Sequence, residues 1–309
     1  MTDIHLTGLD GSNPLAFLAS LGVLVAVDEA MATGRTRLRW SLEGTWRPWL
    51  STPLDGPEAL LDLLEADREA CSLSPALRFE YQHGQKARNV ADVKAPPEVL
   101  RAQLKAWTAA CRPDPAGRRT VDWFVGFVSE GGVDNNGAAK PTALHFTAGQ
   151  QQFLGAARQI ADGVGVAELQ AALFGPWAYA SRLPVMGWDN TETRDYALRG
   201  SDPSTDKKLG NPGADWLALR GLAMLPTAGL RGRQRTGCAS GGWKTGRFRW
   251  PLWVRPASRA VVASLLAEEG IADAAPSARE RRGVGAVLQS RILRSDQGGY
   301  GSVTPSTVL

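Results

Sequence analysis

The stretch that decides the architecture is residues 13–27, NPLAFLASLGVLVAV. Asn13 can cap a helix because its side chain accepts a hydrogen bond from a free backbone N–H, and Pro14 suits the first helical position. Apolar side chains then recur at helical spacing, at Leu15, Leu18, Leu21, Leu24 and Val25. We therefore expect a helix that begins at Pro14 and is entered through a turn at Gly8 to Gly11.

Short strands are predicted on both sides of this helix. The alternation at Ile4 to Leu6 favours a strand before it. After it, Arg37 to Leu42 places Leu38 and Trp40 on one face, and a turn at Glu43-Gly44 leads into Thr45 to Trp49. This pattern predicts a β-hairpin.

The rest of the chain predicts an α+β fold of mixed helices and short antiparallel sheets with long irregular loops. The expected helices are Pro57–Ala70, Pro97–Ala110, Gln150–Ala161, Val166–Phe174, Asp215–Leu225 and Ser258–Glu269. The expected extended segments are Leu77–Tyr81, Val121–Val128, Ala143–Phe146, Arg247–Val254 and Val284–Leu293. A Pro- and Arg-rich loop at Arg112 to Arg119 is the best candidate boundary between an N-terminal α+β region, 1–115, and a C-terminal one, 116–309. Both can also form one continuous domain.

Composition excludes several classes of protein. The 309 residues are 43% apolar and 21% charged, which is typical of a globular chain with a real core. Because no run of about eighteen apolar residues occurs and no basic region precedes Leu15 to Val27, we expect neither a membrane span nor a signal peptide. The cysteines, Cys71, Cys111 and Cys238, are scattered and odd in number, which favours small buried side chains in a cytoplasmic protein over disulfides.

Positive charge is concentrated at the C-terminal end. From Arg231 onward thirteen Lys and Arg face five Asp and Glu, a net charge of +8, whereas the preceding residues carry 22 basic and 26 acidic side chains, a net charge of −4. Such a split favours a C-terminal surface that faces a polyanion. A basic surface that only contacts water is the alternative.

The first basic cluster combines arginines with aromatic rings. Its members are Arg231, Arg233, Arg235, Trp243, Lys244, Arg247 and Arg249, with Trp250 nearby. Positive side chains neutralise phosphates and flat rings stack on bases, so this pattern favours nucleic acid. The alternation of Arg247 and Arg249 with apolar neighbours also fits the exposed face of an edge strand.

A P-loop is a poor interpretation of the glycines at 237–245. That motif needs the lysine directly after its second glycine, and here Trp243 separates Gly242 from Lys244. The stretch is better suited to approach a sugar–phosphate backbone. We predict no cofactor.

Two further stretches are candidates for nucleic-acid contact. The second basic cluster comprises Arg279, Arg281, Arg282, Arg291 and Arg294. Residues 131–137, GGVDNNG, form a loop in which Asn135 and Asn136 can donate to and accept from base edges. The Asn-Gly pair is equally a strong hairpin-turn signal.

Catalytic patterns are sparse. The histidines are His5, His83 and His145, none of them next to an Asp, and no G-x-S-x-G motif is present. We expect His145 to be a packed core residue and predict no metal site. Asp92-Val93-Lys94, with Glu80, has the spacing of a Mg²⁺-dependent nuclease core and keeps an enzyme as an alternative.

Several short stretches resemble one known group of proteins. Residues 9–22, LDGSNPLAFLASLG, resemble the start of accessory and large-subunit proteins of type I-G (formerly I-U) CRISPR–Cas systems. Similar stretches are Phe146–Gln151, Gly187–Asp189, Arg194–Leu198 and Trp250–Trp253. The resemblance implies a companion or subunit of the RNA-guided surveillance complex called Cascade, which recognises the motif flanking the target (the PAM) and contacts a helicase-nuclease. It implies no active site, and Asn135 and Asn136 as candidate readers of the flank by loop character.

These observations together predict a non-catalytic, cytoplasmic nucleic-acid-binding subunit that contacts target DNA, guide RNA or both. A Mg²⁺-dependent nuclease and a protein–protein adaptor, in which the tryptophans and the loop at 175–213 build a docking surface, remain alternatives.

Overall fold

The computed structural model describes residues 1–83, 88–111, 115–147, 151–191, 209–230, 233–242, 244–294 and 301–309. The helices are α1 (Pro14–Met31), α2 (Pro57–Ser72), α3 (Pro75–Arg78), α4 (Pro97–Ala110), α5 (Pro115–Phe124), α6 (Phe153–Gly163), α7 (Val166–Phe174), α8 (Pro212–Gly221), α9 (Arg259–Ala267) and α10 (Pro276–Arg281). The strands are β1 (Thr2–His5), β2 (Arg37–Glu43), β3 (Thr45–Thr52), β4 (Tyr81–His83), β5 (Arg88–Val90), β6 (Val128–Val133), β7 (Ala139–Pro141), β8 (Thr227–Leu230), β9 (Arg233–Thr236), β10 (Ala239–Ser240), β11 (Arg247–Trp253), β12 (Val284–Arg294), β13 (Gly301–Val303) and β14 (Thr307–Val308). The expected α+β class is confirmed.

Helix α1 lies at the centre of the core. The oxygen of the Asn13 side chain accepts a hydrogen bond from the N–H of Leu15 at 2.9 Å, as predicted for the cap. Every residue from Pro14 to Val27 is buried. Helix α8 crosses so closely that a Cβ on Gly22 would overlap the carbonyl oxygen of Leu217. The helix predicted to begin at Pro14 is therefore confirmed, and a glycine on it permits the close approach of two backbones.

By length and composition alone, α1 is also able to cross a membrane. In this fold, however, 78% of it is buried inside the protein. That burial is typical of the core helix of a soluble protein, since a helix that is apolar all round must be covered on every side.

Two antiparallel sheets place apolar faces against α1. The N-terminal sheet has the order β1-β3-β2, with Gly44 in the tight turn at φ +78°. The C-terminal sheet has the order β10-β11-β12-β13, with β14 paired to β12. Phe17 of α1 lies between them, with ring centroids 6.2 Å from Trp40 and 5.9 Å from Trp250. Because each sheet alternates apolar and polar residues, its other face points away from the core.

A buried arginine ties three helices together. Arg220 of α8 is 2% exposed and donates to both carboxylate oxygens of Asp67 on α2, at 2.9 and 3.0 Å. It also donates to Glu29 of α1 at 2.9 Å, and its guanidinium lies over the Trp123 ring. A buried charge of this kind is tolerated only when its donors are satisfied, so this network is structural.

The extended segment predicted at Leu77 to Tyr81 is wrong for its first part. Residues 75–78 form the short helix α3, and Ser74 accepts a hydrogen bond from the N–H of Ala76 at 3.3 Å. The strand β4 begins only at Tyr81. A Ser-Pro pair is a helix-start signal, and it outweighs the apolar character of the residues that follow.

The loop predicted at Arg112 to Arg119 and the extended segment at Val121 to Val128 are also wrong in part. Helix α5 occupies Pro115–Phe124, and β6 begins at Val128. Thr120, Trp123 and Phe124 are buried at helical spacing, which an isolated apolar run does not reveal. The division into 1–115 and 116–309 stays a prediction, although buried side chains from both ranges belong to one core cluster.

The segment Ala143 to Phe146 is a turn instead of the predicted extended segment. The N–H of His145 donates to the carbonyl of Thr142 at 3.0 Å, which closes the turn. Trp188 donates from Nε1 to the carbonyl of Leu144 at 2.8 Å, so a distant side chain satisfies the backbone. Tertiary contacts, absent from any local pattern, therefore decide this segment.

Candidate nucleic-acid interface

The C-terminal sheet presents a polar surface that we call the arginine face. It comprises Ser240, Arg247, Arg249, Gln289 and Arg291. On β11 these arginines alternate with Phe248 and Trp250, which are buried against the core. β11 lies between β10 and β12, so the expected strand is confirmed but is central and not an edge.

The register of this sheet sets two positive charges opposite each other. Arg247 of β11 pairs with Arg291 of β12 in the antiparallel ladder, and both side chains are exposed. Within the part of the chain that the structure describes, neither guanidinium forms an ion pair or hydrogen bond. Side chains in such directly opposed positions have Cβ atoms about 5 Å apart, where like charges destabilise the sheet. The pair is thus a positive site for which the described residues supply no counterion.

Other predicted arginines are neutralised by an acidic segment, Glu268 to Asp273. Arg249 donates to Asp273 at 3.1 Å and to Gln289 at 2.8 Å. Arg235 of β9 forms an ion pair with Glu269. Arg282 pairs with Glu268 at 2.8 Å. The arginines of the first basic cluster are therefore not all available to bind phosphate.

The second basic cluster does not form one patch. Arg281 is exposed at the end of α10, next to Arg282 and before β12, whereas Arg291 lies seven residues after Val284, about 23 Å along the strand. Two members face inward and hold backbone carbonyls. Arg279 donates to Ala272 and Leu309, and Arg294 donates to Ala143 and His145. Burial lowers the pKa of Arg294 to about 10. Only Arg291 joins the arginine face.

The glycine-rich stretch forms a turn that leads into a strand. Gly241 has φ +86°, and its neighbour Gly242 donates its N–H to Oγ of Thr245 at 2.9 Å. A P-loop instead leads into a helix N-terminus, which supplies its phosphate-binding N–H groups. Lys244 is exposed on this turn. Arg231 and Trp243 lie outside the described residues, and for Arg233 only the backbone, in β9, is described.

Asn135 and Asn136 lie at the exposed tip of a hairpin. β6 and β7 pair antiparallel, which confirms the hairpin interpretation of this loop. The carboxylate of Asp134 accepts from the N–H groups of Asn136 and Ala138, at 2.8 and 3.0 Å, and so fixes the turn. The hairpin runs alongside β8, because Gly131 lies directly against Gly229. Both asparagine side chains are free to point into solvent.

The proposed nuclease residues do not converge. Glu80 is paired with Arg158 at 2.6 Å, and Asp92 is buried against His145, with 3.4 Å between Oδ1 and Nε2. Burial lowers the pKa of the His145 ring. Burial by itself would raise the pKa of the Asp92 carboxyl, but the hydrogen bond and the charge of His145 outweigh this effect, so the pKa of Asp92 is lowered. No three metal-ligating side chains cluster within the described ranges. This arrangement does not favour a Mg²⁺ centre.

His145 is buried, as expected, but has a partner that the sequence does not reveal. Its ring stacks on Phe153 at 5.2 Å, and the same nitrogen, Nε2, faces both Asp92 and Thr147. Only 3% of His145 is exposed, so the ring packs in the core.

Burial deactivates the thiols of two of the cysteines. All three are free, and burial raises the pKa of the Cys71 and Cys238 thiols to about 12. A thiol with a raised pKa is a poor nucleophile at neutral pH. Their expected role as small apolar side chains is consistent with this.

One row of surface side chains was not predicted from the sequence. On the outer face of the N-terminal sheet, His5, Trp49 and Arg39 lie directly opposite one another across β1, β3 and β2. The His5 ring stacks on Trp49 at 4.2 Å and an interplanar angle of 6°, and the Arg39 guanidinium lies 5.1 Å from the Trp49 ring centroid. We call these three residues the stacked row. Only the strand register, which fixes opposite partners, could have shown it.

The stretches that carry the CRISPR resemblance meet in space around the turn at 10–13. Asn13 donates to Asp189 at 3.0 Å, and Trp250 donates to the carbonyl of Gly11 at 2.9 Å. Phe146 lies against Gly187, where a Cβ would contact its side chain. These residues are buried and pack in the core, so the stretches from which the resemblance was predicted serve packing more than a binding surface. Arg194–Leu198 lies outside the described residues.

Comparison of the chain with protein-family models, with curated proteins and with solved structures gives no match in any of the three. The geometry of the arginine face and its surroundings is therefore the basis for the function proposed below.

Proposed function

We propose that this chain is a non-catalytic nucleic-acid-binding subunit that contacts the phosphate backbone through its arginine face. The observation that carries the proposal is the pair Arg247 and Arg291, which are exposed, directly opposite and without an ion-pair partner among the described residues. A phosphodiester placed between them supplies the missing negative charge. It also accepts hydrogen bonds in the forked geometry that guanidinium groups offer.

A rigid support makes this pair suitable for positioning a phosphate chain. Both arginines extend from hydrogen-bonded strands whose opposite face carries Phe248 and Trp250 in the core. Contacts to phosphate fix register and orientation but carry no sequence information. We therefore expect the arginine face to bind nucleic acid of any sequence.

Other predicted residues have supporting roles in this proposal. Arg249 extends the row along β11, and Lys244 and Arg281 add positive charge outside it. Asn135 and Asn136 contact base edges from the tip of their hairpin, which is exposed. Arg231, Arg233 and Trp243 keep the roles that the sequence assigns them, phosphate contact and stacking.

The cellular setting of the proposal comes from the sequence resemblance. It implies a cytoplasmic subunit or companion of Cascade that contributes to recognition of the PAM in target DNA. Phosphates are common to DNA and to guide RNA, so the arginine face suits either. The neighbours are then other Cascade subunits and the helicase-nuclease.

Direct binding tests this proposal. The change is Arg247→Ala with Arg291→Ala, measured by fluorescence anisotropy against a labelled DNA single strand, the duplex and an RNA of the same sequence. Loss of two phosphate contacts should weaken binding by about tenfold or more and reduce the salt slope by about two. The matched control is Arg101→Ala, an exposed arginine on α4, which should bind like the wild type.

The outcomes are distinct. The proposal is wrong if the wild type binds none of the probes at low salt, or if the double variant, with unchanged thermal unfolding, binds as tightly as the wild type. Shortening of the labelled DNA in Mg²⁺ would instead indicate the nuclease.

A protein–protein adaptor is the second candidate, and an apolar patch favours it. Leu42 is 65% exposed and lies opposite Trp46 in the β2–β3 hairpin, and Val254 is 43% exposed. Gly285 lies between Trp46 and Val254 and joins the two sheets at this point. Exposed apolar side chains that cluster mark docking surfaces. Association with Cascade subunits without any binding of the three probes would support this candidate.

A further inference from the structure

The acidic segment Glu268 to Asp273 lies beside the arginine face and is firmly anchored. Ile271 and Ala272 are buried in a small apolar cluster with Val284 and Val287 of β12. Arg279 holds the carbonyl of Ala272 at 2.6 Å. The backbone of the segment is thereby fixed on the sheet, so its carboxylates are held at defined positions.

Each carboxylate of the segment pairs with an arginine on a different element. Glu269 pairs with Arg235 of β9. Asp273 pairs with Arg249 of β11 at 3.1 Å. The third pair, Glu268 with Arg282, joins the segment to the end of α10. The first two pairs therefore occupy arginines that otherwise extend the positive surface beyond Arg247 and Arg291.

The ion pairs formed by Glu269 and Asp273 are easily broken. The side chains of Glu269 and Asp273 are 77% and 75% exposed. Ion pairs in contact with water contribute little net free energy, because water solvates the separated charges nearly as well. A phosphate chain can therefore replace these carboxylates without disturbing the anchored backbone.

We infer that the acidic segment is an internal competitor for phosphate, which confines tight binding to Arg247 and Arg291 and holds Arg235 and Arg249 in reserve. This inference rests on the proposed function. The carboxylates of Glu269 and Asp273 take the places of phosphates in the free protein. Nucleic acid then engages the reserve arginines only by displacing them, which lowers affinity and narrows the contacted surface.

Removing the competing charges tests the inference. In the full chain, Glu269→Gln with Asp273→Asn should bind a labelled DNA single strand about three- to tenfold more tightly than the wild type at low salt. The matched control, Glu280→Gln with Asp62→Asn, removes the same charges at exposed positions for which no partner is found among the described residues. It should change affinity by less than about twofold.

A second variant shows whether the gain uses the reserve arginines. Adding Arg235→Ala and Arg249→Ala to the charge-neutral double variant should cancel the gain. If the charge-neutral double variant unfolds, the single variant Glu269→Gln takes its place in both measurements, since the exposed side chain of Glu269 contributes little to folding.

The inference is overturned if the wild type binds DNA and the charge-neutral variant binds no more tightly than its control. It is overturned equally if the gain survives loss of Arg235 and Arg249. Absence of any DNA binding by the wild type is a different result, because it contradicts the proposed function itself.

Discussion

The outer faces of the two sheets differ in the partners that they give to their charged side chains. In the N-terminal sheet, the stacked row places Trp49 between His5 and Arg39, while Glu43 accepts from Trp49 Nε1 at 3.0 Å. In the C-terminal sheet, Arg247 faces Ser240 of β10 on one side and Arg291 of β12 on the other. The first row is stacked ring on ring, and a carboxylate oxygen of Asp3 lies 3.9 Å from the Arg39 guanidinium. The second leaves two arginines that have no ion-pair partner among the described residues, which is why we propose binding there.

Exchanging one charge should have the largest effect on this difference. Arg291→Glu converts the arginine pair into a complementary pair, which should raise the free energy of unfolding by about 0.5 kcal/mol. It also puts a negative charge at the phosphate site, so nucleic-acid affinity should fall by about 100-fold. Urea unfolding and anisotropy measure the two effects.

The same exchange in the N-terminal sheet is the control for that variant. Arg39→Glu in the stacked row loses the contact with the Trp49 ring and should lower stability while leaving affinity unchanged. A stable Arg291→Glu variant that binds like the wild type would show that the two faces do not differ in function.

Removing the central ring of the stacked row should have the next largest effect. Trp49→Ala deletes a cross-strand stack and its hydrogen bonds to Ser41 and Glu43. We expect the free energy of unfolding to fall by about 1–3 kcal/mol, with no change in nucleic-acid affinity. Trp49→Phe, which keeps a ring, should lose less. A clear loss of affinity in Trp49→Ala would make the N-terminal sheet part of the interface.

The smallest effect is a pH dependence in the same row. Hydrogen bonds from Ser41 and then Trp49 lower the pKa of the Glu43 carboxyl. A lowered pKa in the folded state stabilises the fold above the pKa of the unfolded chain, and this contribution disappears as pH falls through the folded value. The melting-temperature difference between the wild type and Glu43→Gln should therefore be present near neutral pH and shrink in acid. Glu280→Gln, which lacks these bonds, should show no such trend.

Local signals in the sequence were sufficient for much of the fold. The cap at Asn13, the proline starts of α2 and α4, and the alternation around Gly44 each predicted an element that the structure contains. Prediction failed at α5 and at the turn 142–145. There, burial of Trp123 and a hydrogen bond from Trp188 depend on residues far away in the chain.

The candidate site was only partly predictable for the same reason. Arg247, Arg249 and Arg291 were identified from composition and alternation, which show that a side chain leaves the core. They do not show what it meets. The pairing of Arg249 with Asp273, and the inward turn of Arg294, required the strands and helices to be assembled.

The sequence by itself determined the class of fold, the central helix and the presence of excess positive charge from Arg231 to the end of the chain. These follow from caps, periodicity and counting, which act over a few residues. Only the tertiary structure decided which of the described arginines have an ion-pair partner. The register of β11 and β12 places Arg247 opposite Arg291. The acidic segment that neutralises other arginines is held in place by a small apolar cluster and by Arg279 of α10. Electrostatic attraction acts between neighbours in space, and no local pattern specifies those.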